Sequence, residues 1–367
     1  MALVALLSAR DGARDRMAPG RSGALIDFGG QPLVEYQARL AINAGAEQIL
    51  IHADAASQDL AQLVDRLSAE RTVEVALVRD MLTLSRSLSP DDRILLLVEN
   101  LILPSEALAS LLVAGPAAML VLPAVPATAR FERVDAEAMW AGALMLPGGA
   151  LLATLDMLGD WDLSLTLLRR AVQDGVRRVA LSPELVMDGR LAILADQATA
   201  DLALQSLSDR SHAALAERHA ALGSLFAPVS RAIVRELVRR QIEPTSLAAA
   251  GLALAVGGLA LAVSGWMIPA MVVMLLALGA SDLAHQCAVV TLRAPGSPRR
   301  HWFVQASALV ILALLGVQVA GGYLVALAGT WLPLFLIGLL ALTEERAALS
   351  GLWARWVRIT IPSATII

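Results

Sequence analysis

Residues 247–265 read LAAAGLALAVGGLALAVSG and contain no charged side chain. A helix needs about 20 apolar residues to cross the hydrocarbon core of a bilayer, so this run predicts a membrane span. From residue 247 to residue 343 the only acidic side chain is Asp282. Similar runs predict further spans near 268–290, 303–321 and 324–343. We therefore expect residues 245–367 to form an all-α polytopic transmembrane domain.

Arginine clusters flank these predicted spans. They comprise Arg231, Arg235, Arg239 and Arg240 before the first span, Arg293, Arg299 and Arg300 after the second, and Arg346, Arg355 and Arg358 after the fourth. Each cluster is two crossings from the next, so all of them fit the cytoplasmic side, as the positive-inside rule favours. The expectation is a multi-pass protein of the inner (cytoplasmic) membrane. A last apolar run, 359–367, is too short to span, and it either ends in the interface or begins a fifth span.

The predicted first span carries the small residues Gly251, Ala255, Gly257 and Gly258. Small side chains let helices approach closely. The stripe fits packing within the chain or a seam between two copies in a homodimer. The pattern alone leaves both alternatives open.

The composition of the whole chain excludes some kinds of partner and covalent link. The chain is 57% hydrophobic with a net charge of −4, which argues against a nucleic-acid partner because such a partner requires a basic surface. Its single cysteine, Cys287, excludes an internal disulfide. Lysine is absent from the whole sequence.

The N-terminal half alternates short apolar runs with helix-like stretches. We predict strands at 3–7, 48–52, 73–78, 94–98, 118–123, 142–146 and 179–181, and helices at 34–44 and 58–67. This rhythm is typical of a mostly parallel sheet covered by helices. The expected organisation is an α/β domain over 1–207 and an amphipathic helical connector over 208–244. The apolar start is read as a buried strand because charges follow too soon for a signal peptide.

A polar turn, Ser8-Ala9-Arg10-Asp11-Gly12-Ala13-Arg14, follows the first predicted strand. The carboxyl end of such a strand is where α/β proteins often bind phosphates. Ser8, Arg10, Gly12 and Arg14 are therefore candidate nucleotide-binding residues.

The sequence continues with Gly29-Gly30-Gln31-Pro32-Leu33 and, after a helix, Ala44-Gly45-Ala46-Glu47-Gln48-Ile49. In this order and spacing the chain resembles nucleoside-triphosphate transferases of the sugar-phosphate and molybdenum-cofactor type. The resemblance implies a GT-A/Rossmann-like fold, with Arg14 as the arginine and Gly12 as a glycine of the triphosphate loop. It also implies an activating lysine near Gly23, which this chain lacks.

The same resemblance implies Mg²⁺ ligands at two places. The first follows the apolar strand and falls on Asn100, beside Glu99; the second falls on Gln197, beside Asp196. Mg²⁺ prefers carboxylate oxygens, so an amide at each place should weaken the site. Glu99, Asn100 and Asp196 are the candidate ligands in this half.

The membrane half resembles CDP-alcohol phosphotransferases. The resemblance begins at Pro228-Val229-Ser230-Arg231 and Glu243-Pro244-Thr245, ahead of the first span. The four metal-binding aspartates of that family correspond here to Asp282, His285, Phe303 and Ser307. Two-metal chemistry requires several anionic ligands, which this set does not supply. Asp282 and His285 share a helix face, and three alternatives are open for them: an ion pair, a satisfied buried contact or, with Arg293, a head-group or single-metal site.

Together the halves have the layout of bifunctional enzymes that make and use a CDP-polyol, with degenerate catalytic motifs. One hypothesis is a pseudoenzyme that binds a nucleotide (CTP or a CDP-alcohol), a membrane lipid or its precursor, or an active paralogue. A second is an active nucleotidyl- or glycosyl-type transferase with altered metal ligands and a membrane anchor. A third is a scaffold without a small-molecule ligand.

Overall fold

The computed structural model describes residues 2–9, 23–53, 57–70, 73–155, 162–218, 233–234, 236–237, 240, 242–293 and 298–320. The chain divides into two compact units. The first comprises Met1–Gln241 together with Cys287–Arg293, and the second comprises Ile242–Gln286 with Ala294–Ile367.

The first unit is a mixed α/β structure. Its described strands are β1 (Leu3–Ser8), β2 (Gln48–His52), β3 (Glu74–Val78), β4 (Arg93–Leu97), β5 (Leu101–Ile102), β6 (Ala118–Pro123), β7 (Glu132–Arg133), β8 (Ala138–Pro147), β9 (Arg177–Ala180) and β10 (Ala192–Ile193). Its described helices are α1 (Leu33–Asn43), α2 (Gln58–Glu70), α3 (Met81–Arg86), α4 (Ser105–Ala114), α5 (Gly148–Leu155), α6 (Leu163–Gln173), α7 (Glu184–Met187) and α8 (Gln197–Arg218).

The main sheet has the strand order β3-β2-β1-β4-β8-β6-β9, with β7 paired to β8. The pairs β3–β2, β2–β1, β1–β4 and β6–β9 are parallel. A second, two-stranded sheet pairs β10 antiparallel with β5. The seven predicted strands all occur, and the first is the buried strand expected at the N-terminus.

The prediction of a mostly parallel sheet needs one correction. Strand β8 runs antiparallel to both of its main neighbours, β4 and β6. Antiparallel strands can follow one another through a tight turn, and β7 returns into β8 through 134–137. The sheet is therefore mixed, with β8 antiparallel between two strands that belong to parallel pairs.

Apolar side chains are buried on both faces of this sheet. All six residues of β1 are buried, with alternate ones in two separate clusters. Helices α1, α2 and α4 contribute to one cluster, and α3, α5 and α6 to the other. This double coverage explains why the central strands have near-continuous apolar sequences.

The second unit contains the described helices α9 (Pro244–Val263), α10 (Met267–Thr291) and α11 (Pro298–Ala320), although the last residues of α10 belong to the first unit. Two segments, Pro244–Val263 and Met267–Ala288, are long and apolar enough to cross a membrane. Only 22% and 33% of their residues are buried, and exposed side chains include Val256, Ile268 and Leu275. These features favour membrane association.

The three described helices overlap the first three predicted spans, and the fourth, 324–343, lies outside the described residues. The number of crossings and the cytoplasmic orientation remain predictions.

Close helix packing uses part of the small-residue stripe in α9. A Cβ atom added at Gly251 would lie 3.2 Å from the Ala277 carbonyl oxygen, whereas one at Gly257 would meet nothing within 4 Å. Ala255 is fully buried in the same cluster as Ala277. Gly251 and Ala255 therefore pack within the chain, which agrees with the first of the two alternatives for these positions.

Replacing Gly148 by alanine should destabilise the first unit. The added Cβ would lie 2.1 Å from the Ser89 carbonyl oxygen, and relieving that clash should cost about 1–3 kcal/mol of unfolding free energy. Gly149→Ala is the matched control, because its Cβ would have 3.7 Å to its nearest neighbour. Urea denaturation of both variants tests this, and equal midpoints would contradict the described approach of Ser89.

In the second unit, Gly251→Val should lower the thermal midpoint in detergent and Gly257→Val should not. Valine at 251 would press on the backbone of α10, at a cost of about 1–3 kcal/mol, whereas position 257 has open space. Greater sensitivity at Gly257, accompanied by loss of a dimer, would instead favour the seam between two copies.

Candidate site at the carboxyl ends of the central strands

The carboxyl ends of three parallel strands bring polar residues together in the first unit. In the register of β1 and β2, Ser8 lies opposite His52, and β4 ends beside β1 with Leu7 opposite Leu97. Glu99 follows β4 after one residue. Carboxyl ends of parallel strands are where ligands bind in open α/β sheets.

Ser8 and Glu99 are joined directly. The Ser8 hydroxyl donates a hydrogen bond of 2.7 Å to Glu99 Oε1, and Ser8 is only 8% exposed. They line a cleft with His52, Asp162 and Ser164, the last two from the start of α6. Asp162 also caps α6 by accepting from the Leu165 N–H at 3.0 Å. At about 10 Å³ the cleft has room for about one water molecule.

Asn100 has an unusual backbone conformation. Its φ is +57°, a left-handed conformation that residues other than glycine adopt infrequently and that often marks functional sites. Its carbonyl oxygen accepts from the Leu194 N–H at 2.9 Å, which fixes the turn after β4. Its side-chain Oδ1 is buried without a hydrogen-bond partner among the described residues. Asn100 is thus held by its backbone, while its side-chain oxygen retains unused bonding capacity.

Asp196 has a structural role at the start of α8. Its carboxylate accepts from the Thr199 N–H at 2.8 Å, as an N-cap does. This backbone bond and the Thr199 hydroxyl lower the pKa of Asp196 below its ordinary value. The charged form is therefore already used to stabilise a helix terminus.

The neighbouring amide, Gln197, forms two hydrogen bonds with the backbone of Asp27. It accepts from the Asp27 N–H at 3.1 Å and donates to the Asp27 carbonyl at 2.8 Å. Burial raises the pKa of the Asp27 carboxyl, and the nearby charge of Asp201 adds to that rise. Gln197 thus joins α8 to the chain before α1.

The structure brings Ser8 and Glu99 together but assembles no complete metal site. Within the described ranges, no group of three or more His, Cys, Asp or Glu side chains is arranged to hold a metal ion. The other candidate loop residues, Arg10, Gly12 and Arg14, lie outside the described residues. Glu99, Asn100 and Asp196 therefore stay predictions as Mg²⁺ ligands.

In the second unit, Asp282 and His285 are both exposed on α10. Ser281 Oγ lies 2.9 Å from His301 Nδ1 of α11, and the His285 and His301 rings are 6.4 Å apart. Ser307, at one of the positions of the CDP-alcohol pattern, donates instead to the Phe303 carbonyl at 2.7 Å. Asp282 and His285 stay predictions as a head-group or single-metal site.

Sequence reasoning missed several of these polar residues. His52 could have been found because it ends a predicted strand beside the end of β1. Asp162 and Ser164 follow no strand, so only the packing of α6 brings them to the cleft. His301 carried no local signal either, since its neighbour Ser281 is 20 residues away.

No protein-family model matches the chain, and no curated protein matches it. Among solved structures it is similar to UDP-glucose pyrophosphorylase from Acinetobacter baumanii, with a TM-score of 0.42 and 15% identity over 62% of this chain and 98% of the other. It is also similar to inositol-1-phosphate CTP transferase from T. maritima, with a TM-score of 0.36 and 15% identity over 49% of this chain and 85% of the other. These neighbours are nucleotidyltransferases, and the similarity lies over the N-terminal half. At this level it gives no information on the activity of this chain.

Glu99→Ala should lower stability because it removes the charged acceptor of a buried hydroxyl. Hydrogen bonds to charged groups contribute about 1.5–3 kcal/mol. Glu99→Gln is the matched control, because its amide oxygen can still accept from Ser8 and its cost should be smaller. Urea denaturation measures both, and equal costs would argue that the Ser8–Glu99 bond contributes nothing specific.

Proposed function

We propose that this chain is a membrane-anchored, catalytically degenerate relative of bifunctional cytidylyltransferase/CDP-alcohol phosphotransferases. Its first unit binds a nucleotide-bearing ligand, CTP or a CDP-alcohol, and does not carry out metal-dependent transfer. The membrane unit holds this binding domain at the cytoplasmic face, where polar-lipid and envelope precursors are made. An active paralogue or a second copy of the chain is the corresponding protein partner.

One observation carries this proposal: three of the four residues at or beside the expected metal positions are already used in the fold, and Asn100 is the exception. Asp196 caps α8, Gln197 bonds to the backbone of Asp27, and Glu99 accepts from Ser8. Mg²⁺ favours near-octahedral carboxylate oxygens, and the two expected positions carry the amides Asn100 and Gln197 instead. The carboxyl ends of β1, β2 and β4 nevertheless lie side by side, which is where open α/β sheets bind phosphate-bearing ligands.

The cleft itself favours one alternative, an enzyme with altered ligands. Glu99, His52 and Asp162 line the same small space, and such groups can transfer protons. In that case Glu99 would be needed for turnover and not only for stability.

Thermal unfolding of the full chain in detergent, with CTP, the other nucleoside triphosphates and CDP-alcohols, tests the proposal. A ligand at 100 times its dissociation constant should add about 2.7 kcal/mol of stability. We expect a cytidine-nucleotide shift of equal size with Mg²⁺ and with EDTA, and no turnover.

Mg²⁺-dependent turnover of a triphosphate that is lost in Glu99→Ala and kept in the exposed control Asp91→Ala would overturn the proposal and establish the altered enzyme. Absence of a shift with every nucleotide would reject the nucleotide-binding role. Retained cellular function in Glu99→Ala and Asp282→Ala variants would further support a role without catalysis.

A further inference from the structure

The end of α10 is built into the first unit. Residues Cys287–Arg293 belong to it, although Cys287–Thr291 are the last five residues of an apolar helix. Leu292 packs against two apolar clusters of that unit, one of which contains Phe28, Leu33 and Tyr36. Its φ is +53°, a genuine outlier for a bulky side chain. A strained backbone of this kind persists only where its surroundings hold it.

Side chains at the two ends of α1 donate hydrogen bonds to the backbone of this segment. Gln31 Nε2 donates to the Thr291 carbonyl at 2.8 Å, and Asn43 Nδ2 donates to the Leu292 carbonyl at 3.3 Å. Gln31 is 1% exposed, and its own oxygen accepts from Arg39. These contacts satisfy carbonyl groups that a helix end leaves without intrahelical partners.

A buried carboxylate adds an electrostatic contact. The Glu35 side chain is 1% exposed and contacts three guanidinium groups: Arg39 at 2.6 Å, Arg66 at 3.0 Å and Arg293 at 3.4 Å. Arg39 and Arg66 come from α1 and α2, whereas Arg293 comes from the segment itself. Removing one partner of a buried ion pair is strongly unfavourable because it leaves an uncompensated charge. Glu35 therefore has two neutralising partners on α1 and α2 and a third, Arg293, just after the end of α10.

We propose that residues 287–293 form a latch, held closed by Glu35, that fastens the end of α10 to α1. The closed state is stabilised by the Glu35–Arg293 pair, the Gln31 and Asn43 hydrogen bonds and the burial of Leu292. The strain of the left-handed backbone at Leu292 destabilises the closed state. Release leaves Glu35 paired with Arg39 and Arg66, so opening exposes no unpaired carboxylate. The latch is thus a local element with a closed and an open state. Glu35, in the first turn of α1 near Gly29 and Gly30, determines which state is favoured.

A single cysteine allows the opening of residues 287–293 to be followed by chemical modification. Cys287 is the chain's single cysteine and is 1% exposed, inside the latch. We expect the rate at which N-ethylmaleimide modifies Cys287 in the detergent-purified full chain, without any ligand, to rise when the latch opens. A local opening that becomes more populated raises this rate in proportion.

Arg293→Gln and Glu35→Gln should each speed Cys287 modification by about tenfold or more, which corresponds to about 1.4 kcal/mol of opening free energy. Gln31→Ala should act in the same direction. The matched control is Arg300→Gln, an exposed arginine in the first turn of α11, which should leave the rate within about twofold of the parent. Far-UV circular dichroism and the thermal midpoint of each variant separate local opening from global unfolding.

Wild-type modification rates in folded Arg293→Gln and Glu35→Gln would overturn the latch. An equal acceleration in Arg300→Gln would overturn it as well, because the effect would then not depend on Glu35. If Glu35→Gln does not fold, Arg293→Gln and Gln31→Ala decide the matter, since Arg293 is 20% exposed and is the milder change.

Discussion

The first unit depends on the burial of β1 on both faces and along both edges. Every residue of this strand is buried, and it pairs in parallel with β2 on one side and β4 on the other. A strand in that position cannot accommodate polar side chains until it ends, so the first hydroxyl, Ser8, falls at its carboxyl end. His52 and Glu99 follow the ends of the two neighbouring strands. The packing of one strand therefore determines where polar chemistry can occur.

Most of the candidate polar residues form hydrogen bonds within the first unit. Ser8 and Glu99 satisfy one another, Asp196 satisfies a helix N-terminus, and Gln197 joins α8 to the segment before α1. Asn100 differs, because its backbone is fixed while its side-chain oxygen has no partner among the described residues. Contacts within the unit therefore account for Glu99 and Asp196, whereas the side-chain oxygen of Asn100 is left over.

The positions of the strands along the chain could be predicted because apolar runs of strand length carry their own signal. The positions of β1, β2 and β6 were predicted to within one residue. The antiparallel direction of β8 could not be predicted, since an apolar strand looks the same in either direction. At the site, strand ends identified Ser8 and Glu99, whereas Asp162 and Ser164 reach the cleft only through the packing of α6. Leu292 gave no signal either, because its left-handed backbone is imposed by neighbours that are distant in sequence.

The assignment of Cys287–Arg293 to the first unit means that the boundary between the units is not one point in the chain. A fragment that ended at Gln241 would lose the side chain of Leu292 from two apolar clusters and one of the three guanidinium groups around Glu35. Such a fragment would expose apolar surface beside α1 and have a smaller stability margin than the same residues have in the whole chain. The mixed-sheet unit is thus completed by the end of the second apolar helix and the two residues after it, and modular exchange of either unit would have to carry that short segment with the sheet.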